Sequence, residues 1–278
     1  MNVPPRARLD LHLHTDRSDG KHPPGQVLSD LIAARVDVAA ITDHDLEPAW
    51  PAGPFRHNGR SIHLLHGAEV SASFEGAELH LLVYFPGEMP ADYRAFLRKR
   101  AAFRAWRHEE VGRRLGLPLV APPAAWEGQL ALTRHHLARA IVAAGRVPDH
   151  RSAWTGPLSR EAAVVPPIEI SAAEVIATTT AAGGRVSWAH PPLEEAAAKA
   201  PGLAALGLHA LEAHRPGIGR VGRDDLARIA HKARLQTTGG SDWHGWHGPL
   251  GSFTLPGREA SSFLAALGEP PHLASLPA

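Results

Sequence analysis

The sequence predicts a mostly parallel α/β fold closed as a barrel, and three observations predict it. Short apolar runs bounded by Gly, Pro or Asp alternate with segments of helical periodicity, the pattern of strands joined by crossover helices. The length of 278 residues suits one large domain, since a barrel of this kind needs about 250. Histidine and carboxylate clusters recur where apolar runs meet turns, and functional groups collect at the strand ends on one face of such a barrel.

Taken in order, the alternating segment Leu9-Asp10-Leu11-His12-Leu13-His14 reads as the first strand, followed by helical spacing over 26–35. Val38-Ala39-Ala40-Ile41, then 61–65 and 79–84, read as buried strands. Helices are expected over 93–115, 137–144, 172–182, 223–233 and 259–267, several with a glycine near the end as a cap. Between them, 185–188 and 210–212 supply further strands. From about 93 to 170 the alternation stops. This stretch carries Pro118, Pro122, Pro123, Pro157, Pro166 and Pro167 and no strand pattern, so it is expected to be a mainly helical insertion or lid within a single domain spanning 1–278. Outer helices with long connections are the alternative. The stretch from Pro270 is expected to be a weakly ordered tail.

Composition excludes several chemistries. There is no cysteine, so neither disulfides nor thiolate ligands nor a thiol nucleophile is available, and any metal must be held by imidazole and carboxylate. A net charge of +1 gives no global pull toward nucleic acid or anionic membrane, while a local basic cleft stays open. No apolar run approaches the ~18 residues that span a bilayer, and residues 1–8 show no secretory pattern. The expected location is cytoplasmic, with no membrane and no obligate protein partner.

The clusters point to metal chemistry. His12 and His14 are two apart on a strand and so face the same side, with Asp19 in the turn beyond able to return a carboxylate to them. His44 follows the run 38–41 between Asp43 and Asp45, either of which can orient its imidazole as a metal-bound histidine requires. Glu69 ends another apolar run, where its two oxygens can bridge two cations. His80 sits between Leu79 and Leu81, a costly place for a polar ring unless it is bonded. Asp242 and His244 repeat the two-residue spacing after Gly239-Gly240, which lets backbone approach closely. They mirror His12 and His14, as expected if the first and last strands lie side by side.

In order, Asp10-Leu11-His12-Leu13-His14-Thr15 with Ser18-Asp19-Gly20, Ala40-Ile41-Thr42-Asp43-His44-Asp45, Gly67-Ala68-Glu69-Val70-Ser71, Leu79-His80-Leu81-Leu82, Arg134-His135-His136, Ala189-His190-Pro191 and Gly240-Ser241-Asp242-Trp243-His244-Gly245 resemble the polymerase and histidinol phosphatase (PHP) superfamily of metal-dependent phosphoesterases. The resemblance covers most of the chain and is thin in the middle insertion. It implies a distorted (β/α)7 barrel holding two or three divalent cations, Mn, Fe, Zn or Mg. Position by position it implies one ion at His12, His14, Glu69 and Asp242, a second at Glu69, His80 and His136, and a third at Asp19, His44 and His244. His136 is chosen over His135 because the family's histidine stands two residues after the arginine. His190 is expected beside the metals as a phosphate contact or proton donor to the leaving oxygen, and Arg134 as a fork-shaped phosphate contact. Glu212 either supports the site or caps a helix at the surface.

The implied reaction is in-line attack on phosphorus by a metal-bridging hydroxide, with no covalent intermediate. The chain is most similar to the small stand-alone members, which act as phosphatases of 3′,5′-bisphosphonucleosides and AMP-like nucleotides or on the 5′ ends of short oligonucleotides. Their small phosphorylated substrate is therefore the first expectation here. Histidinol phosphate is the alternative substrate. A non-catalytic metal-binding module and an amidohydrolase of C–N bonds are alternatives of other classes. Two departures, Leu46-Glu47-Pro48 in place of a threonine after Asp45 and Lys21-His22-Pro23 in place of a more apolar turn, reshape the substrate mouth.

Overall fold

A computed structural model of the chain describes residues 1–57 and 59–268, so the expected tail from Pro270 lies outside the described residues. Strand β1 (Arg8–Leu13) is followed by α1 (Pro24–Ala33), β2 (Val38–Ile41), β3 (Gly53–His57), β4 (Arg60–Leu64), β5 (His66–Phe74) and β6 (Ala77–Phe85). Helices α2 (Ala91–Leu115), α3 (Pro123–Trp126), α4 (Arg134–Ala143), α5 (His150–Thr155) and α6 (Ala172–Ala181) come next. Then β7 (Arg185–Trp188), α7 (Leu193–Ala205), β8 (Ala210–His214), α8 (Gly219–Lys232), β9 (Gln236–Gly239), β10 (Leu255–Pro256) and α9 (Ser261–Leu267) complete the chain.

Two five-stranded sheets, ordered β10-β1-β2-β4-β3 and β5-β6-β7-β8-β9, curl into one barrel. β4 pairs with the lower half of β2 and runs on into β5, and bridges from His44 to Glu69 and from Leu13 to Trp243 close the two seams. The staves are therefore β1, β2, the β4–β5 run, β6, β7, β8 and β9. β1 with β2, β2 with β4, β7 with β8 and β8 with β9 are parallel.

β6 departs from the parallel pattern. It is antiparallel to both β5 and β7 because Phe74 and Ala77 are joined by the two-residue turn Glu75-Gly76. Both turn residues have positive φ, 50° and 75°, the hairpin geometry that matches strand twist and leaves no length for a crossover helix. The edge strand β3 has no counterpart among the apolar runs of the sequence, and at the edge of the sheet the missing N–H of Pro54 costs no ladder bond.

Strand periodicity explains the interior. On β1, Leu9 and Leu11 pack with Phe263, Leu264 and Leu267 of α9, and Leu13 packs with Val27 and Leu31 of α1. Asp10, His12 and His14 take the opposite face, inside the barrel, and all are buried. The helices α2, α4 and α5 share a smaller core of their own around Val111, Leu137, Ile141, Ala153 and Leu158. α2 buries Arg100, Arg104 and Arg107 against the barrel, each with acceptors: Arg104 reaches Asp45 and Ser71, and Arg107 reaches Glu78 and the Pro166 carbonyl. No helix among the described residues is long and apolar enough to cross a membrane.

Candidate metal centre

The strand ends bring the donor atoms together. From β1, His12 Nε2 and His14 Nε2 stand 3.2 Å apart, and Glu69 Oε2 of β5 lies 3.3 and 3.2 Å from them. Asp242 Oδ1, from the loop after β9, is 3.4 Å from each imidazole. Tetrahedral N and O donors at ~2.0–2.1 Å from a cation stand about 3.3–3.4 Å from one another, so this group has the dimensions of a cation cage. Gly240 makes it possible: a Cβ there would lie 2.4 Å from the backbone nitrogen of His12. The first and last parts of the barrel do lie side by side, with the Asp242 N–H donating to His12 O at 2.8 Å and the His14 N–H to Trp243 O at 2.9 Å.

Glu69 turns its second oxygen to another group. Its Oε1 is 2.9 Å from His80 Nδ1 and 2.9 Å from His190 Nε2, and these two nitrogens are 3.3 Å apart. A third group joins Asp19, His44 and His244: Asp19 Oδ1 is 3.2 Å from His244 Nε2 and Asp19 Oδ2 is 3.5 Å from His44 Nε2. Asp19 Oδ1, and His44 Nδ1 at 3.2 Å from Glu69 Oε2, are each buried without a hydrogen bond of acceptable geometry, as donor atoms that face cations are in the absence of those ions. Imidazole and carboxylate donors alone, converging this way, fit hard or borderline divalent cations.

His136 does not join these groups. It occupies the third position of α4, where its Nδ1 accepts the Thr133 N–H at 3.2 Å in a capping box, so local helix geometry claims the ring. The place beside Glu69 and His80 is filled by His190 instead. A left-handed backbone at φ 31° after β7, with the His190 N–H donating to Glu212 Oε2 at 2.7 Å, turns that imidazole inward. Arg134 is half-buried with its guanidinium over the Trp154 ring at 5.3 Å, and it lines a cavity of about 150 Å³ with His80 and His190.

Supporting carboxylates fix these side chains. Glu212 is fully buried, and its Oε1 lies 3.0 Å from His12 Nδ1, the partner that sets the tautomer of a metal-facing imidazole. Its position at the end of the β8 apolar run was the sequence signal for this role. Neither Asp43 nor Asp45 orients His44. Asp43 accepts from the Thr15 N–H, the Thr15 hydroxyl and the Ser18 hydroxyl, and Asp45 pairs with Arg104 and Arg100. Asp10 accepts from the Ser241 N–H and hydroxyl, tying β1 to the closing loop.

The electrostatics match an assembly that expects positive charge. Burial works against protonation of His14 and His80, yet hydrogen bonds and charge from Asp242 and Glu69 push His14 up to about 10, and Glu69 with Glu78 pushes His80 up to about 9. Burial likewise favours neutral carboxyls, but the facing imidazoles hold Glu69, Asp19 and Asp242 well below the usual range. Protons thus sit where divalent cations would displace them.

No protein-family model matches the chain. The 5′-3′ exoribonuclease Rnm of Salmonella typhimurium is 30% identical over 251 residues, covering 84% of each chain. The chain belongs to the PHP-type phosphoesterases. A 5′-3′ exoribonuclease of Haemophilus influenzae is also 30% identical, over 86% of this chain and 92% of its own. The 3′,5′-nucleoside bisphosphate phosphatase of Chromobacterium violaceum is 29% identical over 66% of this chain and 67% of its own. Among solved structures, one described as a "putative metal-dependent phosphoesterase" from Bifidobacterium adolescentis superposes with a TM-score of 0.71 at 26% identity, covering 95% of this chain and 98% of that one. As a member of the PHP-type phosphoesterases, the protein is a metal-dependent hydrolase of phosphate esters.

Proposed function

We propose that the protein hydrolyses phosphate esters of nucleotides, either the monoesters of 3′,5′-bisphosphonucleosides and AMP-like nucleotides or the 5′ ends of short oligonucleotides. The carrying observation is the adjacency of the Glu69-centred donor groups to a cavity that also contains Arg134. The names of the exoribonuclease and bisphosphate phosphatase relatives support a nucleotide substrate.

In this reading His12, His14, Glu69 and Asp242 hold one ion, Glu69, His80 and His190 a second, and Asp19, His44 and His244 a third. The set differs from the expected one in replacing His136 by His190. Divalent cations bound there supply Lewis acidity and a water acidic enough to attack phosphorus near neutral pH. The donor set suits Mn, Fe, Zn or Mg. Arg134, its flat face supported by Trp154, presents its N–H edge to the non-bridging oxygens of the scissile phosphate. Glu212 holds His12 with Nε2 toward the cage, and Asp10 holds the closing loop so that Asp242 meets it. With its Nε2 turned to Glu69 and His80, His190 serves the second cation rather than the leaving oxygen.

Turnover by the Mn-loaded protein, read as phosphate released from AMP, 3′,5′-bisphosphoadenosine and histidinol phosphate, as phosphate or mononucleotide from 5′-phosphorylated dinucleotides and as amine from a panel of amides, tests this reading. Nucleotide substrates are expected to show the higher kcat/KM. Preferential turnover of histidinol phosphate, or of an amide, would replace it.

A further inference from the structure

His80 is bracketed by two carboxylates. Its Nδ1 stands 2.9 Å from Glu69 Oε1, on the side of the second cation, and its Nε2 stands 3.8 Å from Glu78 Oε1 on the other. Among the described residues no hydrogen bond and no other carboxylate engages that Nε2. Residues 78 and 80 are two apart on β6, so strand period puts both side chains on one face. Two other metal-facing imidazoles are held from behind in a similar way: His12 Nδ1 by Glu212 Oε1 at 3.0 Å, and His244 Nδ1 by the Asp242 carbonyl oxygen at 2.8 Å.

Glu78 is itself held. A partly exposed glutamate has several rotamers open to it, and ordering it costs entropy unless a partner pins it. Arg107 Nη2 donates to Glu78 Oε2 at 2.8 Å, which leaves Oε1 for His80, while Arg107 Nε donates to the Pro166 carbonyl oxygen at 2.6 Å. The planar guanidinium thus takes its direction from the segment that joins α5 to α6. Arg100, Arg104 and Arg107 share one face of α2, and the side chains and backbone they hold belong to Asp45, Ser71 and Glu78. Of these three, among the described residues, only Glu78 pairs with a metal-facing imidazole.

We propose that Glu78 is a positioning residue for the second cation and that Arg107 acts through it. The carboxylate favours the His80 tautomer with its proton on Nε2, which leaves the Nδ1 lone pair for the cation. Pro166, Arg107, Glu78 and His80 then form one line from the inserted segment to the metal centre. The inference rests on the assignment of His80 to the second cation and deepens it, since it gives the insertion a part in holding metal.

The test uses the full chain dialysed against graded free Mn, with metal per chain read by elemental analysis. His80→Ala identifies the equivalent that depends on His80. In Glu78→Gln that equivalent is expected to bind about tenfold more weakly, with the others as in the wild type; the lower end of the range for such supporting groups fits a contact longer than a hydrogen bond. Arg107→Met is expected to weaken the same equivalent by a smaller factor. The double variant is expected to bind it no more weakly than Glu78→Gln alone, because Arg107 works through the carboxylate. A pair with a merely structural role would loosen every equivalent together or show additive losses, and either pattern would overturn the inference. So would wild-type affinity in Glu78→Gln, which decides the matter alone should Arg107→Met fail to fold. A full complement of metal in His80→Ala would instead defeat the assignment beneath the inference.

Discussion

Replacing His190 or His136 by alanine separates the two assignments of the second cation. His190 Nε2 lies 2.9 Å from Glu69 Oε1 and 3.3 Å from His80 Nδ1, whereas His136 Nδ1 accepts the Thr133 N–H and its ring joins none of the donor groups among the described residues. Structural zinc sites with four donors bind with about 10–16 kcal/mol, so each donor carries roughly 3 kcal/mol, or about two orders of magnitude in affinity. His190→Ala is therefore expected to weaken one bound cation by about a hundredfold, and His136→Ala to leave affinity within a few-fold. Dialysis against graded free Mn followed by elemental analysis reads the metal per chain directly. The expected result is a His190→Ala protein lacking one equivalent where the wild type and His136→Ala are full. Full loading of His190→Ala with an equivalent missing from His136→Ala would refute the reasoning and favour the ligand set that the family resemblance implies.

Two further outcomes follow from the surroundings of the site. Glu212→Gln keeps an acceptor for the His190 N–H but removes the charge facing His12 Nδ1, so metal affinity is expected to fall about 10–100-fold; unchanged dissociation constants in a chelator competition would contradict that role. His209 accepts the Val186 N–H at 3.2 Å, and burial, then Arg185, pushes its pKa down to about 4. Between ~6.5 and about 4 the unfolded chain binds more protons, so this group's contribution is full above ~6.5 and is lost as pH falls through that window. His209→Asn, which keeps an acceptor, should flatten the decline in urea midpoint of the metal-free protein from pH 6.5 to 4, and parallel curves would rule the linkage out.

The sequence made the barrel and most of the side chains that converge at its strand ends legible, because strand period and the position of a residue at a strand end are local properties. His12 with His14, and Asp242 with His244, are paired by spacing alone, and Glu69 and His80 announce themselves by a polar group in an apolar run. The choice between His136 and His190 was not local. It depends on a left-handed residue after β7 and on a capping box at α4, neither of which changes the motif spelling. Glu212 stayed ambiguous because a carboxylate at a strand end is equally at home in solvent; only the fold shows that it faces His12. The buried arginines of α2 were illegible for the opposite reason. A charged residue on a helix reads as a solvated face, and it takes the packed positions of Asp45, Ser71 and Glu78 to reverse that reading. β6 reads in the sequence as one more buried strand, and its antiparallel direction comes from the two-residue turn Glu75-Gly76, which apolar periodicity does not mark.

The seam where Leu13 meets Trp243 has a consequence for how the enzyme comes into being. The proposed donors of one cation come from residues 12, 14, 69 and 242, so no fragment lacking either end of the barrel carries that set. Closing so long a span is entropically slow and is repaid only when the last stave docks. A cation held by that set would therefore be captured after the two ends of the barrel meet rather than serve as a template for the fold. Capture of that cation would in this sense be a proofreading step, granted only to a barrel whose two ends have met.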